Sequence, residues 1–491
     1  MKSVFLLAAL LAWMPWSAAQ TPFPSAEAQK VEAKTDDEAP LPANLPPTVA
    51  SALRAAKLPA GAVSFYAQEV GASKPTLSVN GEKAFNPAST MKLVTTFAAL
   101  ELLGPAYTWK TQVLQAGTLR GDVLEGDLII KGGGDPKLTH EDFWLLLRKL
   151  RAKGIREIKG NVLLDRSWFD VSSYDPAKFD GDPQRAYNAG PDALLINFKA
   201  IALQLHGNEA NNTVTVTGEP PLAGFSVTHA VKSVAGGGCS ARGRVQAALS
   251  ATGVHVTGSF PPNCGDQALY IHPYNLSHVQ YNGGLFKQLW SDMGGKLTGE
   301  VRDGRAPAGA TLIAEHESES LAEAIRGINK FSNNVMARQL FLTLSAETLR
   351  TAGTPSLSFR AVQSWATNRG LAMPELVIEN GSGLSRIERI SAANLGKLLV
   401  TAFRSPVMPE FMSSMPLVAY DGTMRRRLKA QDVAGQAHIK TGSLNDTRAI
   451  AGYVLAASGK RYAIVSLINH GNAPASQGVH DAFLQWVYAN G

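Results

Sequence analysis

The sequence has few cysteines, little charge and no long hydrophobic run. Its 491 residues include two cysteines, and charged residues make up 18%, against roughly 25% in an average soluble protein. These features exclude a small disulfide-rich domain, and the 45% hydrophobic content excludes a wholly disordered chain. No apolar stretch reaches the roughly 20 residues that a membrane-spanning helix needs. We therefore predict no transmembrane anchor.

The charge balance does not indicate a nucleic-acid-binding protein. Lys and Arg number 47 and Asp and Glu 40, a net charge of +7. The one dense basic run, at 425–429, is typical of a solvated surface. The ten histidines form no His-Glu-X-X-His motif, and the two cysteines lack the spacing of a zinc site. We expect no nucleic-acid partner, no metal and no organic cofactor.

The N-terminus has the pattern of a secretory signal peptide. Lys2 supplies a positive charge, residues 4–14 are apolar, and residues 17–19 are the small residues that a signal peptidase accepts. We predict cleavage after Ala19 and export of the protein. Residues 20–46, rich in Ala, Pro and charge, are predicted to form a flexible lead, because they have too little apolar pattern to fold.

The two cysteines are Cys239 and Cys264. Because an exported chain meets oxidising conditions, we predict a disulfide between them, with two free thiols as the alternative. A single bridge of this kind fastens one loop and does not determine the fold.

One serine stands where a nucleophile and its base can meet on a helix. Asn86 and Pro87 predict a helix start, with Asn as N-cap, and the apolar run to Leu103 continues it. Ser89 and Lys92 lie three positions apart, on one face of the first turn. There the positive helix end favours an alkoxide, and burial lowers the pKa of a lysine toward that of a general base. Taken alone, the motif is more typical of a solvated serine and a surface lysine on an ordinary helix.

Two further motifs strengthen the hypothesis. Ser332 and Asn334 form Ser-X-Asn in a turn between two predicted helices, although such a pair is usually a helix cap. Lys440, Thr441 and Gly442 follow a strand-like segment. Glycine there lets a peptide lie along the strand edge, while the cation and hydroxyl hold a carboxylate; the ordinary interpretation is a surface lysine. Ser-X-X-Lys, Ser-X-Asn and Lys-Thr-Gly together form the set of class A β-lactamases and penicillin-binding proteins.

Beyond these motifs, the sequence resembles the class C low-molecular-mass penicillin-binding proteins, which are D-alanyl-D-alanine carboxypeptidases and endopeptidases. The resemblance covers nearly all of the mature chain. It includes segments 128–136, 330–334, 380–386 and 440–444. The family commonly has Asp where this chain has Asn333 or Asn380, a departure expected to alter local hydrogen bonding without removing a catalytic group.

The resemblance implies a mixed α/β (α+β) catalytic domain of the penicillin-binding and β-lactamase type, an antiparallel sheet flanked by helices. The long interval between Ser89 and Ser332 matches the family's inserted small domains. We predict a catalytic domain split into 47–110 and 309–491 by an insert, 111–308, of one or two mostly β and α+β domains. The apolar patterning predicts strands over 62–70, 449–455 and 462–469, and helices over 91–103, 321–329 and 334–344.

The resemblance also implies catalytic roles. Ser89 would attack the carbonyl of the penultimate D-alanine, and Lys92 would take the serine proton. Ser332 would relay a proton to the leaving amine near Lys440, and Asn334 would hold the acyl side-chain amide.

The residues implied to bind substrate are Thr441, Gly442, Ser443, Arg386, Asn445, Asp182 and Tyr187. The backbone N–H groups of Ser89 and Ser443 would form the oxyanion hole, and Thr441 would bind the terminal carboxylate. Asp182 and Tyr187, in the insert, would contact the amine-bearing end of a stem peptide, although Asp and Tyr in a turn-rich segment are more often structural.

The expected protein is therefore a periplasmic serine DD-peptidase that acts on peptidoglycan stem peptides and is inhibited covalently by β-lactams. One alternative is a β-lactamase. The segment between Ser89 and Ser332 lacks the Glu-X-X-Leu-Asn pattern of an efficient deacylating carboxylate, so a penicillin adduct should be long-lived. The other alternative is a catalytically weak peptidoglycan-binding scaffold, but its motifs would be degenerate, and all three are intact here. The sequence leaves open the balance of carboxypeptidase and endopeptidase activity and the oligomeric state.

Overall fold

The computed structural model describes residues 40–171 and 174–491. The helices are α1 (Pro47–Ala55), α2 (Lys92–Leu103), α3 (His140–Ala152), α4 (His278–Asp292), α5 (Leu321–Lys330), α6 (Asn334–Leu349), α7 (Pro355–Asn368), α8 (Ala392–Phe403), α9 (Met408–Ser413) and α10 (Gln477–Asn490). The predicted signal peptide, 1–19, and most of the predicted lead lie outside the described residues. In the described end of that lead, Leu45 is buried in the core beside α1.

Twenty strands form the sheets of the described chain. They are β1 (Val63–Glu69), β2 (Leu77–Val79), β3 (Ala84–Phe85), β4 (Lys110–Arg120), β5 (Val123–Lys131), β6 (Glu157–Ile158), β7 (Val162–Asp165), β8 (Ile201–Asn208), β9 (Thr213–Glu219), β10 (Ser226–Ser233), β11 (Val245–Leu249), β12 (Gly253–Phe260), β13 (Asp266–Ile271), β14 (Lys296–Leu297), β15 (Val301–Asp303), β16 (Thr311–Glu317), β17 (Ile390–Ser391), β18 (Ala437–Leu444), β19 (Thr447–Leu455) and β20 (Arg461–Asn469).

One five-stranded antiparallel sheet joins the two ends of the sequence. Its order is β18-β19-β20-β1-β2, so β1 pairs with β20 along its whole length. Almost every residue of β19 and β20 is buried, because helices cover both faces. Helices α2 and α8 pack on one face and α1 and α10 on the other. The predicted antiparallel sheet flanked by helices is therefore confirmed.

Helix α2 lies at the centre of the larger core. Residues 92–100 are all buried, and α2 contacts α5, α6 and α8. A helix that is surrounded in this way is apolar on every side. The helix starts differently from the prediction, because Ala88 has a left-handed φ of 45° and a 3-10 turn, Ala88–Met91, precedes α2. The predicted N-cap is wrong, because Pro87 stands at the N-cap position of that turn and no side chain caps it. The Oδ1 of Asn86 instead accepts a hydrogen bond from the N–H of Ala88 at 2.9 Å.

The region between β4 and β16 has a separate core and three further sheets. The largest has the order β14-β6-β5-β4-β16, with β7 and β15 alongside, and two three-stranded sheets have the orders β13-β8-β9 and β10-β12-β11. Strand β16 pairs antiparallel with β4, so the chain enters and leaves this region on neighbouring strands. The predicted insert, 111–308, begins within β4 and ends just before β16.

The predicted disulfide between Cys239 and Cys264 is confirmed. It joins the loop after β10 to a short 3-10 turn, Pro262–Cys264, before β13. Within residues 40–171 and 174–491, no helix is both long and apolar enough to span a bilayer.

Candidate active site

The first two motif residues meet in the 3-10 turn and the first turn of α2. The Nζ of Lys92 donates to the Oγ of Ser89 at 2.9 Å. The same Nζ lies 2.6 Å from the Oδ1 of Asn334, at the start of α6, and also donates to the backbone carbonyl of Ser382. Oxygen atoms from three chain segments, one of them the hydroxyl of Ser89, therefore surround the Lys92 amine.

Burial changes the protonation of both motif lysines. Lys92 is 0% exposed, and this burial, with repulsion from nearby Lys440, lowers the pKa of Lys92 well below its usual value. Burial also lowers the pKa of Lys440 to about 7. A lysine with so low a pKa is available as a neutral amine near neutral pH and can accept a proton from a hydroxyl group.

Ser332 and Lys440 form a second serine-lysine pair. The Nζ of Lys440 donates to the Oγ of Ser332 at 2.8 Å and to the carbonyl of Thr441 at 2.7 Å. Ser332 occupies the sharp link between α5 and α6 with a left-handed φ of 59°. The next residue, Asn333, caps α6 by accepting hydrogen bonds from two backbone N–H groups. An asparagine caps as well as an aspartate, so the departure from the family pattern at this position preserves the local structure.

Strand β18 is an edge strand that packs directly on the turn carrying Ser89. A Cβ added to Gly442 would lie 3.0 Å from the Ser89 nitrogen and 2.8 Å from the carbonyl oxygen of Pro87. Glycine at this position therefore permits the close approach. Ser443 is exposed at the strand edge. The hydroxyl of Thr441 pairs with that of Thr423 at 2.8 Å, a neighbour that sequence reasoning missed.

The loop that presents the Ser382 carbonyl is held by a buried glutamate. One carboxylate oxygen of Glu388 accepts hydrogen bonds from the backbone N–H groups of Glu379, Asn380 and Gly381 at 3.0–3.1 Å. Burial raises the pKa of Glu388, and attraction to Lys92 opposes the rise. Sequence reasoning missed this residue, which lies just beyond the segment 380–386.

The two predicted binding residues of the insert, Asp182 and Tyr187, form hydrogen bonds within their own segment. The hydroxyl of Tyr187 donates to Asp180 at 2.7 Å, and the carboxylate of Asp182 accepts from Arg185 at 2.6 Å. The structure therefore does not pair the side chain of Tyr187 or Asp182 with a motif residue. Arg338, buried on α6, donates to the carbonyl of Tyr187 at 2.9 Å and so fastens this segment beside the site. Arg338 also escaped sequence reasoning.

The other two predicted binding residues lie near the end of β18. Asn445 is exposed in the turn between β18 and β19. The guanidinium of Arg386 lies 4.7 Å from the centroid of the Phe179 ring and 3.4 Å from a carboxylate oxygen of Asp446. Both side chains are accessible from solvent.

A helix-borne serine-lysine pair, a second such pair, and a strand edge packed on the nucleophile turn define a serine enzyme of the penicillin-binding class. In the described parts of the chain, no cluster of three or more His, Cys, Asp or Glu side chains is placed to hold a metal ion. Comparison with known proteins gives the family. The D-Ala-D-Ala carboxypeptidase 3 (S13) family matches residues 45–489. The chain belongs to that family and is a serine DD-peptidase, as the resemblance implied.

Individual relatives agree in sequence and in fold. The chain is 30% identical to the D-alanyl-D-alanine carboxypeptidase of Actinomadura sp. (strain R39), over 82% of this chain and 77% of the relative. It is 26% identical to the D-alanyl-D-alanine carboxypeptidase DacB of Haemophilus influenzae, over 84% and 86%. The crystal structure of penicillin binding protein 4 (dacB) from Haemophilus influenzae covers 90% of this chain and 99% of its own, with a TM-score of 0.76 and 23% identity. The last likeness confirms the fold class.

Proposed function

We propose that the protein cleaves peptidoglycan stem peptides after a D-alanine residue, through an acyl-enzyme on Ser89. The observation that carries the proposal is the 2.9 Å contact between the Oγ of Ser89 and the Nζ of a buried Lys92. The neutral Lys92 amine takes the hydroxyl proton while Oγ bonds to the D-alanine carbonyl carbon. The backbone N–H groups of Ser89 and Ser443 stabilise the oxyanion, each by about 3–4 kcal/mol.

The second pair serves the leaving group. Collapse of the tetrahedral intermediate breaks the peptide bond, and the departing amine needs a proton. The Ser332 hydroxyl, bonded to the Nζ of Lys440 at 2.8 Å, delivers that proton and is reprotonated from Lys440. Water then attacks the ester carbon and returns a proton to the Ser332–Lys440 pair, while Lys92 gives its proton back to the Oγ of Ser89 and the shortened peptide leaves.

Three further groups hold the substrate. The Oδ1 of Asn334 accepts from Lys92, which leaves its Nδ2 free to donate to the carbonyl of the acyl side-chain amide. The Thr441 hydroxyl binds the terminal carboxylate, with Arg386 as an accessible cation near the cleft, and the peptide lies along β18 beside Gly442. Asn445 lines the same end, and Asp182 and Tyr187 act through the segment that they stabilise.

The same chemistry explains covalent inhibition and the site of action. A β-lactam presents a strained amide to Ser89 and leaves no small amine to depart, so its ester blocks the serine. Both carboxypeptidase and endopeptidase activity place a D-alanine carbonyl at Ser89 and differ only in the leaving amine. The substrate is a cell-wall polymer, which supports action in the periplasm after export.

The test combines trapping and turnover. Purified protein is incubated with labelled penicillin and peptide-mapped, and separately with a stem pentapeptide and a cross-linked muropeptide dimer. We expect a stable adduct on Ser89, release of D-alanine or of monomers, and loss of both in Ser89→Ala with unchanged thermal unfolding. Rapid penicillin turnover without an adduct would instead identify a β-lactamase, and an adduct without peptide cleavage would identify a scaffold.

A further inference from the structure

The outer edge of β18 is covered over only part of its length. The N–H of Ile439 donates to the carbonyl of Pro416 at 2.8 Å, and the N–H of Val418 donates to the carbonyl of Ala437 at 2.9 Å. Residues 416–418 therefore cover the first part of this edge. From Thr441 onward no strand of the described chain pairs with it, and this is the part along which the proposed peptide lies.

Thr423 stands at the point where the edge becomes free. It belongs to a 3-10 turn, Gly422–Met424, which follows the covering segment and contacts β18. The Oγ1 of Thr423 lies 2.8 Å from the Oγ1 of Thr441, and Thr423 is exposed. Two hydroxyl groups from separate segments are therefore adjacent where the free edge begins.

The turn is held in place by the end of α5. The carboxylate of Asp421 accepts a hydrogen bond from the Nζ of Lys330, and Lys330 is the last residue of α5, two positions before Ser332. Gly422 has a left-handed φ of 54°, and a Cβ added to it would lie 2.5 Å from the carbonyl oxygen of Lys330. The turn that carries Thr423 is therefore packed on the segment that leads to Ser332.

The charges around the two hydroxyl groups permit an anion. Both carboxylate oxygens of Asp421 are engaged, one with a backbone N–H at 2.7 Å and the other with the ammonium group of Lys330, which compensates its charge. The Nζ of Lys440 donates to the carbonyl of Thr441 at 2.7 Å, so an amine that is positive when protonated lies beside the pair. The arginines at 425 and 426, which follow the turn, are exposed.

We propose that Thr423 is a substrate-binding residue, whose hydroxyl group binds the C-terminal carboxylate of the peptide together with the hydroxyl group of Thr441. The inference rests on the proposed function, because it concerns the substrate of the same site. Without substrate the two hydroxyl groups bond to each other. A carboxylate has two acceptor oxygens, so each hydroxyl group can donate to one of them. One neutral hydrogen bond is then exchanged for two charge-assisted bonds, each about twice as strong.

The experiment compares substrates that differ only in this carboxylate. The value of kcat/KM is measured for a stem pentapeptide that ends in D-Ala-D-Ala and for the same peptide with a C-terminal amide. Thr423→Val removes the hydroxyl group and keeps the shape of the side chain. We expect it to slow cleavage of the carboxylate form about 10-fold or more and that of the amide form less than about three-fold. Thr423→Ser retains a hydroxyl group and should keep the wild-type ratio of the two rates.

Penicillin gives the same comparison without peptide cleavage. Benzylpenicillin has a carboxylate on the carbon next to its lactam nitrogen, as D-Ala-D-Ala has on the carbon next to its amide nitrogen. Acylation by benzylpenicillin should therefore slow in Thr423→Val about 10-fold or more, and acylation by its methyl ester less than about three-fold. Thr118→Val, at an exposed threonine on β4, is the matched control and should react as the wild type does in both assays.

Three results would overturn the inference. They are wild-type rates in Thr423→Val, an equal loss for the charged and neutral forms, which would indicate a structural role alone, and a wild type that does not prefer the carboxylate. Thermal unfolding checks that each variant is folded. If the wild type is acylated by penicillin but cleaves no peptide, the proposed peptidase function fails, and the penicillin pair still decides whether Thr423 binds the carboxylate.

Discussion

The Oδ1 of Asn334 lies 2.6 Å from the Nζ of Lys92, across a sequence separation of 242 residues. One amide therefore links the Ser-X-Asn motif to the Ser-X-X-Lys motif and fixes the direction of the amine relative to Ser89. The asparagine orients the base with its oxygen and presents its nitrogen to the substrate. Asn333 differs from Asn334, because the side-chain oxygen of Asn333 accepts two backbone hydrogen bonds that cap α6.

Removal of this amide should impair acylation. Asn334→Ala deprives Lys92 of an acceptor and the substrate of a donor, so the second-order rate of acylation by a fluorescent penicillin should fall about 10- to 100-fold. Asn333→Asp, which retains the cap, is the matched control and should react within about two-fold of the wild type. A near-normal rate in Asn334→Ala would show that Lys92 does not depend on this contact.

The buried lysine at the second pair should make stability depend on pH. Burial holds the pKa of Lys440 at about 7 instead of 10.5. Between these values the unfolded chain binds a proton that the folded protein does not, so the free energy of unfolding rises with pH. The slope is at most about 1.4 kcal/mol per pH unit.

Urea unfolding of the wild type between about pH 7.5 and 9 should therefore show a steeper rise than that of Lys440→Met. Lys92 contributes with the same sign in both proteins. Because Lys440→Met removes a repulsion that lowers the pKa of Lys92, the contribution of Lys92 shrinks in the variant and the expected difference in slope keeps its direction. Lys153→Met, at an exposed lysine, should keep the wild-type slope. Parallel slopes in the wild type and Lys440→Met would contradict the lowered pKa of Lys440.

Glycine at position 442 should be required for the packing of β18. In Gly442→Ala the new methyl group meets backbone atoms of Pro87 and Ser89 within 3.0 Å, and backbone cannot yield as a flexible side chain can. We expect penicillin acylation to slow by at least about 10-fold and thermal stability to fall by about 1–3 kcal/mol. Gly478→Ala, on α10 with no neighbour within 4 Å of the added carbon, should leave acylation unchanged. Normal acylation by Gly442→Ala would show that β18 can shift at no cost.

Glu388 should influence how the rate of penicillin acylation falls as the pH is lowered. Its negative charge raises the pKa of Lys92, so Glu388→Gln should move the acidic limb of penicillin acylation to lower pH. The glutamine carbonyl can still accept the three backbone hydrogen bonds. Thermal unfolding and the rate at the plateau should therefore change less than the position of the limb. A loss of rate at all pH values would indicate a structural role alone.

Local sequence patterns predicted much of the fold and the motif pairs. Alternating and apolar residues placed β1 within 62–70, and the strand runs over 63–69. The helix predicted over 334–344 continues to 349. The prediction ended too early because the last turn of the helix is partly exposed and its apolar pattern is weak. Ser-X-X-Lys was readable because both residues lie on one helix, where spacing determines the face.

Contacts between distant segments of the chain could not be predicted from local sequence patterns. The Ser382 carbonyl, Glu388 and Thr423 reach the site only after three loops pack together, and no local spacing encodes that packing. Asp182 illustrates the reverse case, since the family resemblance implied a ligand contact while its carboxylate pairs with Arg185, three positions away. A short-range ion pair of this kind competes with any long-range role that a resemblance implies.

The pairing of β1 with β20 places the first strand of the catalytic sheet beside its last. During synthesis the region between β4 and β16 is complete long before β18, β19 and β20 emerge, so it can fold while β1 is paired with β2 alone. Ser89 is therefore synthesised early, but the strands that complete its site follow only near the end of the sequence. A chain that stops before β18 contains the nucleophile and its base but lacks Lys440 and three of the five strands. Such a fragment would carry Ser89 without the strand edge that packs on its turn, so activity should require the complete catalytic sheet.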